Sequence, residues 1–230
     1  GWLVRVIWFL LSGICHQIPE RSLHYQGQPL PLCARCAGVF VALPLGLLTL
    51  WAIGQGRRSG FPPKRLWPWM ALLVAAWAAD GLNSTAALLW GAPLAYEPSN
   101  LLRLATGAGL GVALAAVLYP VYHLSLWGEG DPRPVLAEHW SPLVLLAVGA
   151  SWVALALLWA AAPWALMAAL AAGGALGSIA LINGLLWALG LGLAGRRSPA
   201  RRLGVAAALG LLSALAEMAL LATVRLLLGA

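Results

Sequence analysis

Three thiols and an imidazole stand close together near the start of this chain: Cys15 and His16, then Cys33 and Cys36 in a Cys-Ala-Arg-Cys tetrad. Two cysteines three residues apart can aim both sulfurs at one ion. A third cysteine and a histidine from the far end of the same loop then complete a tetrahedral shell of the ligands zinc prefers. Neighbours in sequence seldom both bind one ion comfortably, so His24 is the alternative to His16 as fourth ligand. The same thiols allow two other chemistries. One is a Cys33–Cys36 disulfide exchanging with Cys15, the equipment of a thiol oxidoreductase; the other is a structural disulfide with one spare cysteine.

A second group of chemistry-bearing residues lies inside apolar segments, where ionisable side chains are costly and mark functional candidates. Asp80 shares a helix face with Asn83 and Ser84, and Asn100, Arg103 and Thr106 form a stripe at the start of the next segment. Glu217 sits past the middle of the last segment, one turn from Ser213 and two turns from Arg225. As struts, Asp80 pairs with Arg103 and Glu217 with Arg225. As a site, these residues line an outward-facing polar pocket roofed by the cysteine loop. There Arg21, Arg35, Asn83, Asn100 and Arg103 hold the anionic headgroup of a membrane lipid or other amphipathic small molecule, with Asp80 or Glu217 as acid/base.

The elements that must position these residues are membrane helices. The 230-residue chain is 62% hydrophobic and 9% charged, against about 25% charged in soluble domains. Runs of roughly 20 apolar residues recur throughout. Seven segments stand out, at about 2–14, 37–53, 66–90, 100–126, 141–160, 164–194 and 203–228. The expected architecture is all-α: one integral membrane domain over 1–230, a bundle of about seven spans with an ordered outer Cys/His loop at 15–36. The first segment is short for a span.

The net charge of +7 does not indicate a nucleic-acid partner. Eight of the fourteen basic residues fall in two short clusters, 57–65 and 196–202, and clusters of this kind mark cytoplasmic loops. Alternation then puts 54–65, 128–139 and the basic loop 195–202 inside, and the 15–36 loop, the 91–99 loop and the end of the last segment on the outer side. Gly107 with Gly111, and Gly173 with Gly177, have the spacing of close helix packing.

Two quoted stretches, "CHQIPERS" at 15–22 and "PLCARCAG" at 31–38, resemble the signature of a family of uncharacterised prokaryotic membrane proteins, the domain of unknown function 2085. Leu23 and Ala37 stand where that pattern has an aromatic residue and a threonine. The resemblance implies a membrane location and brings no chemistry, and the last hundred residues contribute little to it. Two further functions therefore stand beside a zinc-organised binding or catalytic site. One is a quinone-linked thiol-disulfide oxidoreductase using Cys33 and Cys36; the other is a non-catalytic subunit of a larger membrane complex. Whether the chain is an enzyme is left open by its residues.

Overall fold

A computed structural model describes residues 1–127, 130–159, 161–192 and 199–229. Each apolar segment becomes one helix: α1 (Trp2–Ser12), α2 (Ala34–Ala52), α3 (Trp67–Trp90), α4 (Asn100–Trp127), α5 (Ser141–Leu158), α6 (Trp164–Gly190) and α7 (Pro199–Leu227). Six of them are long and apolar enough to cross a membrane. The seventh, α1, has 11 residues and rises only about 16 Å, half of a hydrocarbon core about 30 Å thick. The seven expected segments are thus six helices of span length and one short apolar helix. The protein is an all-α, multi-pass membrane protein.

Its packing is that of a membrane bundle, with small residues inside and large ones outside. Ala34, Ala37, Ala42, Ala115, Ala171 and Ala206 are buried, while Leu72, Leu82, Leu146, Leu212 and Leu220 point outward. With hydrocarbon outside, apolar burial gives helices little reason to associate, so close backbone approach must supply contact. One such close crossing joins α2 to α4. A Cβ at Gly38 would collide with the backbone of Leu104 and Ala108, and one at Gly107 with the carbonyl of Arg35. Gly111 packs on α2 in the same way, whereas a Cβ at Gly173 or Gly177 would meet nothing within 4 Å.

Two short sheets tie the loops at opposite ends. At one end, β1 (Ser22–Tyr25) pairs antiparallel with β2 (Gln28–Cys33). At the other, β3 (Arg58–Gly60) runs parallel to β4 (Asp131–Pro134), joining the 54–65 loop to the 128–139 loop. These two loops do share an end of the bundle. Residues 195–198 of the basic loop at 195–202 lie outside the described residues, as do residues 128 and 129. The 15–36 loop, the 91–99 loop and the end of α7 share the opposite end, since Asn83 bonds Tyr96, Asn100 bonds Glu20, and Arg225 bonds Cys15.

The β3–β4 end is locked by Arg58, whose Nη2 donates to Glu138 Oε1 at 2.6 Å, and by Gln55, whose Oε1 accepts from the Leu136 amide at 3.0 Å. The Arg58 hydrogen bond is the main reason Glu138 is held down from 4.5 to about 2. A carboxyl with a depressed folded value stabilises the fold fully above its unfolded value and loses that contribution as pH falls toward the folded one. Thermal unfolding should therefore show stability falling between about pH 4.5 and 2. Glu138→Gln should be less stable at neutral pH and should flatten that acid limb.

Candidate functional site

The cysteine loop is a hairpin whose strand ends directly in a membrane helix. Its two-residue turn is Gln26-Gly27, both at positive φ (51° and 76°), as tight hairpins require. Tyr25 donates its hydroxyl to the Ala156 carbonyl at the end of α5, and Trp164 Nε1 donates to Pro29 O at 2.9 Å. The hairpin is therefore seated on α5 and α6. Cys33 closes β2 and stands at the N-cap of α2, which places Cys36 in the first turn.

Cys15 reaches the same place from the other side. The chain turns at Gln17, a non-glycine residue at φ 54°. The Gln17 carboxamide donates to Trp8 O at 2.8 Å and to Pro31 O at 3.1 Å, stitching α1 to β2. Arg225 of α7 completes the clamp, donating to the carbonyls of Ser12 (3.0 Å), Cys15 (2.7 Å) and His16 (3.0 Å).

The outcome is a triad of free thiols. The sulfurs of Cys15, Cys33 and Cys36 all lie within 4.8 Å of one another. Cys15 is 5% exposed, and the Cys33 amide donates to its sulfur at 3.2 Å. Cys33 is held well below the usual thiol range, first by its hydrogen bond with the Cys15 thiol, then by the Cys36 thiol, the Cys36 amide and the charge of Arg35. Cys15 is correspondingly raised, chiefly by that same bond to Cys33. Sulfurs bound to one zinc at about 2.3 Å sit about 3.8 Å apart, a spacing compatible with a triad held within 4.8 Å. Neither imidazole joins the triad: His16 and His24 are exposed, and His24 Nδ1 lies 3.1 Å from Ser22 O.

Beside the triad stands an arginine cluster, with a different pairing from the one expected. Asp80, 1% exposed, pairs with Arg35 of the Cys-Ala-Arg-Cys tetrad and not with Arg103. Arg35 Nε and Nη2 both donate to Asp80 Oδ2, and Nη2 also reaches Ser84 Oγ at 2.9 Å. The Tyr96 hydroxyl takes Asp80 Oδ1 at 2.8 Å, so both carboxylate oxygens are occupied. Asn83 is a brace: its Nδ2 donates to Tyr96 O at 2.8 Å, and its Oδ1 accepts from the Ala95 amide at 2.9 Å. Arg21 donates to Ser84 O at 3.0 Å. Asn100 Nδ2 donates to Glu20 O and Ser22 O, both at 3.2 Å, holding the hairpin to α4.

Arg103 is the unusual member. It is 6% exposed, its Nη1 donates to the neutral Asn100 Oδ1 at 2.9 Å, and its Nε has no partner. It lies one turn before Gly107, where α2 and α4 run side by side, and so beside the first turn of α2 between Cys33 and Gly38. Arg21 and Arg35 are close enough to repel it, Asp80 and Cys33 to attract it. Three guanidinium groups thus gather around one carboxylate and the thiols, at a helix N-terminus that is itself partly positive.

With this geometry in view, comparison with known proteins is informative. Residues 15–117 match the profile of a family described as a predicted membrane protein, DUF2085. The matched stretch, under half of the chain, is similar to that family. It spans the loop, α2, α3 and the first part of α4, and so contains the triad, Arg21, Arg35, Asp80 and Arg103. An uncharacterised protein of Methanothermobacter thermautotrophicus is 29% identical over 114 residues, 49% of this chain and 91% of that protein. Another, of Methanocaldococcus jannaschii, is 27% identical over 116 residues, 50% of this chain and 68% of that protein. No solved structure matches the chain at a significant level.

Glu217 is placed elsewhere. It accepts from Asn183 Nδ2 at 3.0 Å, pairs with no arginine among the described residues, and lies outside the matched residues 15–117. The expected Glu217–Arg225 pair is not formed, because Arg225 is committed to the loop carbonyls. A groove of about 390 Å³ lies at the opposite end of the bundle, lined by α3, α4 and α5 together with Arg65 and His139. Nothing in the residue spacing singles out Gln17 or Tyr96, and spacing pointed Arg225 toward Glu217 and not toward the loop carbonyls it holds.

Proposed function

We propose that the three thiols form a zinc-thiolate centre that leaves the fourth ligand position to an anionic group of an amphipathic molecule at the outer membrane surface. The observation that carries this reading is the mutual proximity of all three sulfurs, within 4.8 Å. A disulfide needs two sulfurs, whereas a trigonal set of three is what a tetrahedral ion needs. Three protein ligands leave one position for water or a bound molecule, the pattern of open zinc sites. Arg103 supports an anion there: a zinc ion with three thiolates carries one net negative charge, yet three arginines face one aspartate. Arg35 and Asp80 orient the tetrad in this reading, Arg103 and Arg21 meet the anion, and His16 is free to close the shell when no molecule is bound.

Elemental analysis of purified protein, with free-thiol counting, tests the centre. One zinc per chain and three thiols blocked until chelation are expected, with the metal lost in Cys33→Ser. A metal-free protein that cycles between dithiol and disulfide would replace this reading by the quinone-linked oxidoreductase, which the low-lying Cys33 thiol favours.

A further inference from the structure

We propose that the α6–α7 face around Glu217 is a self-association surface, and that a second copy of this chain covers it. Glu217 lies ten residues before the end of α7 at Leu227, about 15 Å from it and so near the middle of the bilayer. Its side chain is nevertheless exposed on the outside of the bundle. An ionisable group at that depth faces protein or water rather than lipid. No cation pairs with it among the described residues; its hydrogen bond comes from Asn183 across the helix pair. One turn away on both helices, Trp187 Nε1 donates to Ser213 Oγ at 2.7 Å, also on the exposed face. Two polar pairs thus lie stacked where the surroundings are otherwise Leu, Ile and Ala.

The occupant follows from depth and from the donor count. Copies inserted with the same topology are related by an axis along the membrane normal, which preserves depth, so a mid-bilayer patch meets the same patch of its neighbour. The patch is complementary to itself. A carboxamide has two N–H groups and a carboxylate two oxygens. Each copy uses one of each internally, leaving one Asn183 N–H and one Glu217 oxygen to bond reciprocally with the second copy. A patch presenting only acceptors would call for a cationic partner; this one offers a donor and an acceptor. The surface lies on helices beyond the matched residues 15–117 and leaves the thiol triad untouched.

Single-molecule photobleaching of labelled protein in phosphatidylcholine vesicles, at falling protein-to-lipid ratios, tests the proposal. Wild type is expected to be dimeric down to low densities. Asn183→Leu with Glu217→Leu, which removes both polar groups and strands neither, should weaken the dimer at least tenfold with unchanged thermal unfolding. Glu217→Gln, whose single oxygen can accept from both copies' Asn183 through its two lone pairs, should remain dimeric. Wild type that is monomeric at every density overturns the proposal, as does a double-leucine variant that dimerises normally. A Glu217→Gln variant as monomeric as the double-leucine protein also overturns it, and assigns the face to a cationic partner.

Discussion

Asp80→Asn should destabilise the protein by about 3–5 kcal/mol, the usual cost of stranding one member of a buried ion pair. The effect should sit at the upper end of that range. Asp80 is the carboxylate that Arg35, Tyr96 and Thr106 all address, and without it Arg21, Arg35 and Arg103 face one another uncompensated. Arg35→Met combined with Asp80→Leu removes both charges and should recover much of the loss. Arg103→Met should cost less than Arg35→Met, because it takes a cation from a cation-rich cluster and leaves Asp80 with its partner. Thermal unfolding of the four variants in one lipid or detergent provides the ranking. If Arg103→Met proves as damaging as Asp80→Asn, the pairing described for Asp80 is incorrect.

Gly107→Leu should be among the most damaging single substitutions in the transmembrane region. Its Cβ would fall on the carbonyl oxygen of Arg35, a backbone atom that cannot swing aside, so the penalty should exceed the about 1–3 kcal/mol of ordinary overpacking. The displaced segment is the first turn of α2, so separation of Cys33 from Cys36 should accompany the loss of stability. Gly173→Leu has open space around it and should lie within about 0.5 kcal/mol of wild type. Unfolding temperature and thiol reactivity, measured on both, separate the two cases.

The contrast between these glycines shows what the sequence could reveal and what it could not. Helix number and order were legible, because a run of apolar residues the length of a bilayer has one stable solution in lipid. The sharing of one end by loops 54–65 and 128–139 was legible from alternation. Gly107–Gly111 and Gly173–Gly177, in contrast, are identical as spacings, and only the neighbour across the interface decides which pair is packed. The partner of Asp80 was obscured by a boundary. With the second span read as 37–53, Arg35 belonged to a loop and Arg103 was the nearest helical cation. Once α2 starts at Ala34, Arg35 is a first-turn residue carried by the helix to Asp80. The gathering of Cys15, Cys33 and Cys36 was legible from type and spacing, while the exposure of His16 was not. That depends on the direction the chain takes after α1, which Gln17 sets with a left-handed backbone.

Arg225 reaches across 210 positions of sequence to hold the Cys15 carbonyl. During synthesis the loop it clamps is made well before α7, so until α7 emerges nothing on that helix steadies the segment leading into Cys15. The triad is thereby coupled to insertion of α7: a chain in which that helix fails to insert presents its thiols loosely, open to oxidation or to capture of the wrong ion. Docking of α7 is in this sense a maturation step for a site whose ligands lie between residues 15 and 36.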